Sequence, residues 1–378
     1  MRCRIEPTRI ILARRWLGIS KTTLARSLDV SVGAVSLWEC GERDASLRLS
    51  DLAKVLKQPE SFFVGPEVPV TDARSVSFRK RHDASRQVRE KASAAIDCAA
   101  GVLTPTIQSI YGRLPSLNLP SLQGMRPEAA ADALRREWNL TDGPLRSVVE
   151  QLEAKGVKVY WISESSPSLS AFCKWVDGDP YVVLNSAKRD GCRSRFDACH
   201  ELAHLVLHRD TDFDNVDPRQ LEREADTFTS AFLLPRETFL EDAPRTFDRD
   251  HLIALKKVWG VSVQAMVRRL YDLKVFSDWQ YEHAFRLMSG WGWRSNPEPQ
   301  AGHMESSKIH WLLNKELEEL DRPPEWFADR AGLAWENVAE MMPVLNLAHM
   351  GHSLVSLANE VFDFERQSKS DASLPYDD

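Results

Sequence analysis

The N-terminal part of the chain contains short runs of apolar positions at helical spacing, separated by polar residues that can begin a helix. Between residues 7 and 63 this spacing predicts four short helices. Ser20, Ser31 and Ser46 are the predicted helix starts, because a serine hydroxyl can accept from the unpaired amides of a first helical turn. A proline-containing stretch at 66–72 interrupts the pattern. The pattern therefore predicts an all-α N-terminal segment.

From residue 128 onward, helical and strand periodicity are mixed. Three segments rich in valine, tyrosine, tryptophan and phenylalanine predict strands at 157–162, 171–176 and 181–185, with hairpin turn residues Gly178-Asp179-Pro180 between the last two. Apolar positions at helical spacing predict helices at 128–138, 143–155, 193–208 and 218–233, three more within 249–290, and a helical region over 305–365. The predicted fold class is therefore α+β.

These changes of pattern divide the chain into five predicted parts. They are a helix-turn-helix domain at 1–65, a linker and helix at 66–124, a mixed α+β core at 125–245, a helical subdomain at 246–296 and a C-terminal helical region at 297–378. The composition, with 43% hydrophobic and 28% charged residues, is that of an ordinary globular protein. We have no functional interpretation of the C-terminal part.

Charge and cysteine usage exclude several classes of protein. A net charge of -6 argues against a wholly nucleic-acid-coating protein, although residues 1–65 hold 11 Lys/Arg against 7 Asp/Glu. The six cysteines are scattered without a Cys-x-x-Cys pair, as in a reduced cytosolic protein. No apolar run approaches the roughly 18 residues of a membrane helix, and the start lacks a signal-peptide pattern. We therefore expect a cytoplasmic protein without a membrane partner.

Residues 19–39 have the pattern of a helix-turn-helix, with Asp29 at the turn and Ser31 capping the second helix. The residues placed toward DNA are Lys21, Thr22 and Arg26 for phosphate contacts, and Ser31, Val32, Gly33 and Ser36 at the start and outer face of the second helix. That face lacks Arg, Lys, Asn and Gln, so strong bidentate base contacts are not expected. A helical protein-interaction module is the alternative.

The segment His200-Glu201-Leu202-Ala203-His204 carries the most specific chemistry in the sequence. Histidines four residues apart lie on one helix face, so both imidazoles can reach one zinc ion. Glu201 lies at the flank of that face, where it can act as general base on water activated by zinc. Phe196 and Leu207 share the side of the histidines, which predicts that this face points inward. A chance match on an ordinary helix is the alternative for so short a motif.

A catalytic zinc ion needs a third protein ligand, and the next helix offers Glu222, Glu224 and Asp226. Glu224 lies nearest the edge of the apolar face and is the predicted ligand, with Glu222 as fallback and three solvated acids as the alternative. His208 would lie about 12 Å along the helix from His200, too far for the same ion. We expect it to pack behind the site or to contact a ligand.

The motif His-Glu-x-x-His on a helix is typical of zinc peptidases, and a peptidase also needs a surface that holds an extended substrate. The strand at 181–185 is a candidate sheet edge for pairing with a peptide, although a central strand would have the same apolar sequence.

Residues 200–208, with Glu224-Ala225-Asp226-Thr227-Phe228 and Leu233-Leu234-Pro235, resemble the ImmA/IrrE family of metallo-endopeptidases, and 195–199 is similar to its lead-in to the zinc helix. The resemblance covers roughly residues 75–290 and implies a zincin-like, gluzincin-type core. It implies that His200, His204 and Glu224 bind Zn²⁺, or alternatively Mn²⁺, and that Glu201 activates water. Relatives cleave helix-turn-helix repressors during stress or mobile-element induction, so the implied partner is a transcriptional repressor.

Residues 8–63 resemble the Cro/C1-type (XRE) helix-turn-helix in Leu24-Ala25, Val35-Ser36 and Trp38-Glu39-Cys40-Gly41. The usual turn glycine is Asp29, which can adopt a left-handed conformation, and the usual proline is replaced near Ala45. This resemblance implies double-stranded DNA as a partner.

Two classes of function fit these observations. The first is a regulatory zinc endopeptidase that cleaves a specific repressor. The second is a DNA-binding regulator, or an antitoxin-like binding partner, whose peptidase fold senses a metal or ligand without hydrolysing peptides.

Overall fold

The computed structural model describes residues 4–71, 85–165, 169–188, 190–211, 216–293, 298–299 and 304–350. These residues form two compact units that are each drawn from separate stretches of chain. The first unit lies within Met1–Leu117, Glu153–Ala187 and Ser307–Leu354, and the second within Asn118–Leu152 and Lys188–Ser306. The predicted C-terminal helical region falls outside the described residues from 351 onward. The division into five parts stays a prediction.

The fold is a mixture of many helices and one small sheet. The described residues form helices α1 (Pro7–Trp16), α2 (Lys21–Ser27), α3 (Val32–Glu39), α4 (Leu49–Leu56), α5 (Glu60–Phe63), α6 (Arg86–Cys98), α7 (Thr104–Tyr111), α8 (Pro127–Glu137), α9 (Val148–Ala154), α10 (Gly191–Leu207), α11 (Pro218–Leu233), α12 (Arg236–Asp242), α13 (Arg249–Trp259), α14 (Val263–Asp272), α15 (Asp278–Gly290), α16 (Lys308–Glu319), α17 (Pro324–Ala331), α18 (Trp335–Met341) and α19 (Pro343–His349). The strands are β1 (Lys158–Ile162), β2 (Ala171–Val176) and β3 (Asp179–Asn185). The predicted α+β class is confirmed.

Five helices, rather than the predicted four, occupy residues 7–63. The additional one, α5, is a single turn of four residues after Pro59, too short to produce a periodic pattern. The side chains of Ser20 and Ser31 cap α2 and α3, as predicted. Asp29, between these two helices, has φ 51°, the left-handed conformation expected for this substitute of a turn glycine.

A buried ion pair joins the first and third helices of the chain. Arg14 contacts both carboxylate oxygens of Glu39, with 2.5 Å between Nε and Oε1 and 3.3 Å between Nη2 and Oε2. The Lys21 ammonium lies 3.0 Å from Oε2 of the same carboxylate. Because one acid on α3 balances a cation on α1 and another on α2, the three helices are held by one network.

The sheet in the first unit has the order β1-β3-β2, with β1 parallel and β2 antiparallel to β3. Asp177 and Gly178, with φ 50° and 86°, form the hairpin turn between β2 and β3. Strand β3 is therefore central, and both of its edges are already paired. The prediction that residues 181–185 offer an edge to a substrate peptide is therefore wrong. The sequence could not show this, because a buried central strand is as apolar as a buried edge strand.

Glu153, a buried acid at the end of α9, caps a helix far away in sequence within the first unit. Its side chain accepts a hydrogen bond from the Ser307 hydroxyl and from the backbone amides of Lys308 and Ile309, at 2.9 and 3.2 Å. Those amides belong to the first turn of α16, where backbone donors lack partners within the helix. The carboxylate thus anchors the C-terminal helices of this unit.

In the second unit, α11 packs between α8 and α10. The predicted helices at 193–208 and 218–233 are confirmed as α10 and α11. Phe228 and Phe232 of α11 are fully buried and stack with ring centroids 5.6 Å apart. This packing places the acidic residues of α11 beside the histidines of α10.

The Arg195 guanidinium, in the second turn of α10, holds this helix in the second unit. Its Nε donates to Glu305 Oε1 at 2.8 Å, and its Nη1 and Nη2 donate to the carbonyls of Leu145 and Arg146 at 2.9 and 2.5 Å. Glu305 Oε2 in turn accepts from the amide of Val149 at 3.0 Å, at the start of α9. We call these five residues the Arg195 cluster.

Helix length and cysteine pairing are two further features of the described residues. None of the helices among the described residues is long and apolar enough to cross a membrane. The five cysteines that fall in the described ranges form no disulfide bond with one another.

We predict that Gly260→Ala destabilises the protein more than Gly124→Ala. Both glycines have positive φ, 62° and 80°, so alanine costs about 1–2 kcal/mol at either site. A Cβ on Gly260 would also lie 2.3 Å from Arg195 Nη1, whereas a Cβ on Gly124 meets nothing within 4 Å. Displacing the guanidinium breaks buried hydrogen bonds, each worth on the order of 1–3 kcal/mol. Urea unfolding should therefore show an extra loss of at least about 2 kcal/mol for Gly260→Ala, and equal losses would contradict the assigned packing.

Candidate metal centre

The segment His200–His204 lies on α10 and faces the interior of the second unit. His200, Glu201 and His204 are 1%, 2% and 5% exposed, so the predicted inward orientation is confirmed. The helix begins after Asp190, whose side chain accepts from the Arg193 amide, and its C-cap residue is His208. Polar side chains are thus buried on a helix that continues through both histidines without a break.

Three side chains converge on a common point between α10 and α11. The Nε2 atoms of His200 and His204 lie 3.1 Å apart. The two carboxylate oxygens of Glu222 lie 3.4 Å from those two nitrogens, Oε2 from His200 and Oε1 from His204. A tetrahedral zinc ion with Zn–N bonds of about 2.0–2.1 Å separates its ligand atoms by roughly 3.3 Å. The spacing and the two-nitrogen, one-carboxylate chemistry of this set therefore fit a zinc ion.

Glu222, rather than the predicted Glu224, is the acid at the histidine pair. Thr229 and Leu233 lie on the same side of α11 as Glu222 and are buried, at 0% and 3% exposure. The buried surface of α11 is therefore wider than its apolar stripe, and both α8 and α10 contact this helix. Distance from the apolar stripe alone favours Glu224, which lies on the other flank of the helix from this contact.

Glu224 contacts the pair only through His208. Its Oε2 lies 3.0 Å from His208 Nε2, and its Oε1 accepts from Gln220 Nε2 at 2.8 Å. His208 Nδ1 lies 2.9 Å from His204 Nδ1. His208 therefore contacts a candidate ligand, as expected.

Asp226 is the acid that the sequence argument left without a role. Its Oδ1 lies 3.1 Å from Nδ1 of His200, on the far side of the ring from Glu222. Ligating histidines usually have their second ring nitrogen beside a carboxylate or another acceptor, which sets the ring orientation. The spacing of Glu222 and Asp226, four residues apart like the two histidines, was the available signal.

The local electrostatics favour a neutral His204 and an ionised Glu222. Burial lowers the pKa of His204 to about 4, and it also lowers the pKa of His208. Burial raises the pKa of Glu222, but hydrogen bonds with His200 and His204 outweigh it and hold that pKa at about 2. At neutral pH His204 is thus neutral and Glu222 ionised, which is the state that binds a divalent ion.

The residues predicted to face DNA lie on α2 and α3 of the first unit. Thr22, Arg26, Ser31, Val32 and Gly33 are exposed, and Ser36 is half-buried. Lys21 is half-buried, and its ammonium is paired with Glu39. Arg26 is therefore the one of the two predicted phosphate-contacting cations whose side chain is fully exposed.

We predict that Glu222→Ala abolishes stoichiometric zinc binding, whereas Glu224→Ala retains the metal with weaker affinity. The first variant removes a donor atom. The second removes only the carboxylate that contacts His208, the neighbour of His204, and such a change typically costs about 10–100-fold in metal affinity. Metal content after dialysis and chelator competition would measure both effects. Arg223→Ala is the matched control, because this exposed residue lies between the two acids. Zinc loss in Glu224→Ala with retention in Glu222→Ala would reverse the assignment.

One family model matches the chain, the IrrE N-terminal-like domain (Peptidase_M78), over residues 152–271. A comparison with curated proteins finds no match. The matched segment runs from the start of the sheet through α14 and contains every residue of the metal centre. It supports the resemblance to the ImmA/IrrE family, and it indicates a metallopeptidase-type function for this part of the chain.

Proposed function

We propose that the protein is a zinc-dependent endopeptidase that regulates transcription by cleaving a specific protein target, a helix-turn-helix repressor, in a stress or mobile-element response. The observation that carries the proposal is the cluster of His200, His204 and Glu222 on two adjacent helices within the matched peptidase segment. A glutamate as third ligand makes the site gluzincin-like. Mn²⁺ is the alternative ion for the same donors.

Each residue of the centre has a role in this proposal. His200 Nε2, His204 Nε2 and a Glu222 oxygen hold the ion, which when bound supplies Lewis-acid activation of water and of the peptide carbonyl. Glu201, next to His200 and buried, accepts the proton of the attacking water on its carboxylate and delivers it to the leaving amide nitrogen. Asp226 and His208 orient the two imidazoles from behind.

A regulatory target is proposed because the peptidase segment is joined to an N-terminal bundle that resembles a transcription-factor domain. Helices α2 and α3 contact each other, and the left-handed Asp29 lies between them, which supports this part of the proposal. The family resemblance adds repressors of the same helix-turn-helix type as substrates. Recognition of a similar domain is therefore the proposed basis of selectivity.

We predict that Glu201→Gln abolishes cleavage but leaves zinc binding intact. The substitution removes the proton acceptor and keeps the shape of the side chain, and loss of general base catalysis costs on the order of 10²–10⁴-fold in rate. Purified protein with zinc or manganese would be incubated with a small repressor encoded by a neighbouring gene, and products identified by mass spectrometry. Glu237→Gln, the same change at an exposed position of α12, is the control. Wild-type cleavage by Glu201→Gln would refute the proposal.

The second candidate function is a DNA-binding regulator, or an antitoxin-like partner, whose peptidase fold acts as a sensor. It is favoured by the exposed surface of α2 and α3, where Arg26 and the start of α3 can approach DNA. Full regulation by a Glu201→Gln variant would support this candidate over the protease. Co-purification of a neighbouring gene product would support the antitoxin-like version.

We predict that the N-terminal bundle binds double-stranded DNA with an affinity that falls as salt rises. Removing one phosphate contact by Arg26→Ala should weaken binding to all sequences and reduce the salt slope by about 0.9. Electrophoretic shifts with the upstream region of the protein's own gene, at several salt concentrations, would measure both. Lys315→Ala, on α16, is the control for loss of an exposed cation. An unchanged slope in Arg26→Ala would contradict the assigned contact.

A further inference from the structure

The nitrogen of His204 that points away from Glu222 begins a chain of two further side chains. His204 Nδ1 lies 2.9 Å from His208 Nδ1, and His208 Nε2 lies 3.0 Å from Glu224 Oε2. The other oxygen of Glu224 accepts from Gln220 at 2.8 Å. The chain therefore starts at a candidate ligand on α10 and ends at a carboxylate that is itself fixed on α11.

The protonation of each nitrogen in this chain follows from its two ends. A neutral imidazole has one N–H donor and one acceptor nitrogen. If the ionised carboxylate of Glu224 accepts, His208 Nε2 carries the proton and His208 Nδ1 is an acceptor. His204 Nδ1 must then be the donor, and His204 Nε2 keeps its lone pair. That lone pair is directed toward His200 Nε2 and Glu222, the point where the donor atoms converge.

We propose that His208 and Glu224 are positioning residues that hold His204 in the tautomer whose Nε2 can bind the metal ion. The inference rests on the metal binding that the proposed function requires. It assigns His208 and Glu224 a role although neither touches the ion. It also explains why an acid on each flank of α11 contacts a histidine, Glu222 at His204 and Glu224 at His208. Glu222 lies at the Nε2 side of His204, whereas Glu224 orients the His204 ring from its Nδ1 side, through His208.

Burial makes this control of the tautomer effective. His204 and His208 are 5% and 4% exposed, so water has little access to either ring as a competing partner. A ring that can flip or change tautomer presents N–H instead of a lone pair and cannot bind the ion. In this buried setting the hydrogen-bond chain is what selects between the two tautomers.

The test uses the zinc affinity of the full-length protein, measured by chelator competition. His208→Phe keeps an aromatic ring but removes the acceptor for His204, so the affinity should fall by about 10–100-fold. His208→Asn retains an acceptor near the position of Nδ1 and should recover most of it. Glu224→Ala should behave like His208→Phe, Glu224→Gln should stay near wild type because its amide oxygen can accept, and Arg223→Ala is the control.

Two further readouts separate positioning from general packing. If His208 and Glu224 only support packing, the variants with the weakest zinc affinity should also have the lowest melting temperature without zinc. If they position His204, the variants should mainly lose part of the increase in melting temperature that zinc causes. NMR of ¹⁵N-labelled imidazoles in zinc-loaded wild-type protein should show protons on His204 Nδ1 and His208 Nε2. This measurement stands even if a variant fails to fold.

The outcomes distinguish this inference from the proposed function. Zinc affinity of His208→Phe within about threefold of wild type, or a proton on His208 Nδ1 in the loaded protein, would overturn the positioning role while leaving the metal centre in place. Wild-type protein that binds neither zinc nor manganese would overturn both. Weakened binding in His208→Phe that is restored in His208→Asn is the result we expect.

Discussion

Burying polar groups on α10 is costly, and the contacts around this helix in the second unit depend on that cost. His200, Glu201 and His204 are almost fully removed from water, and such groups are tolerated inside a protein only when they are paired. The partners come from α11, which places Glu222, Asp226 and, through His208, Glu224 beside the histidines. The packing of two helices is thus decided by polar contacts as much as by apolar area. The same contacts produce a set of donor atoms suited to a divalent ion.

The position of α10 depends on contacts made one turn before the motif. The Arg195 cluster fixes the helix to the segment at 145–149 and to Glu305, and Gly260 leaves the space that the guanidinium occupies. A metal centre tolerates little displacement of its ligands, so rigid placement of the supporting helix is required. A cation that touches no candidate ligand therefore belongs to the physical basis of the site.

Much of this arrangement can be predicted from sequence because it is local. Helices α10 and α11 follow from periodicity, and the three strands follow from their content of valine and aromatic residues. The inward face of the histidines follows from their apolar neighbours. The preference for Glu222 over Glu224 depends on which helices contact α11, and the four-residue spacing of Glu222 and Asp226 was its one signal in the sequence. The central position of β3 depends on pairing between strands that are equally apolar. Glu305 could not be linked to Arg195, since 110 residues separate them and no motif marks the pair.

Two acidic side chains bind the starts of helices that are distant in sequence, and this has a consequence for synthesis on the ribosome. The Glu305 side chain accepts a hydrogen bond at the start of α9, 156 residues earlier in the chain. Glu153 likewise accepts hydrogen bonds at the start of α16, which is synthesised much later. While the chain emerges from its N-terminus, α10 and α11 are complete before the carboxylate that neutralises Arg195 exists. A nascent chain that stops before residue 305 leaves a buried guanidinium without its counter-ion, a defect that typically costs 3–5 kcal/mol. The packing around α10 should thus reach its final form only late in translation.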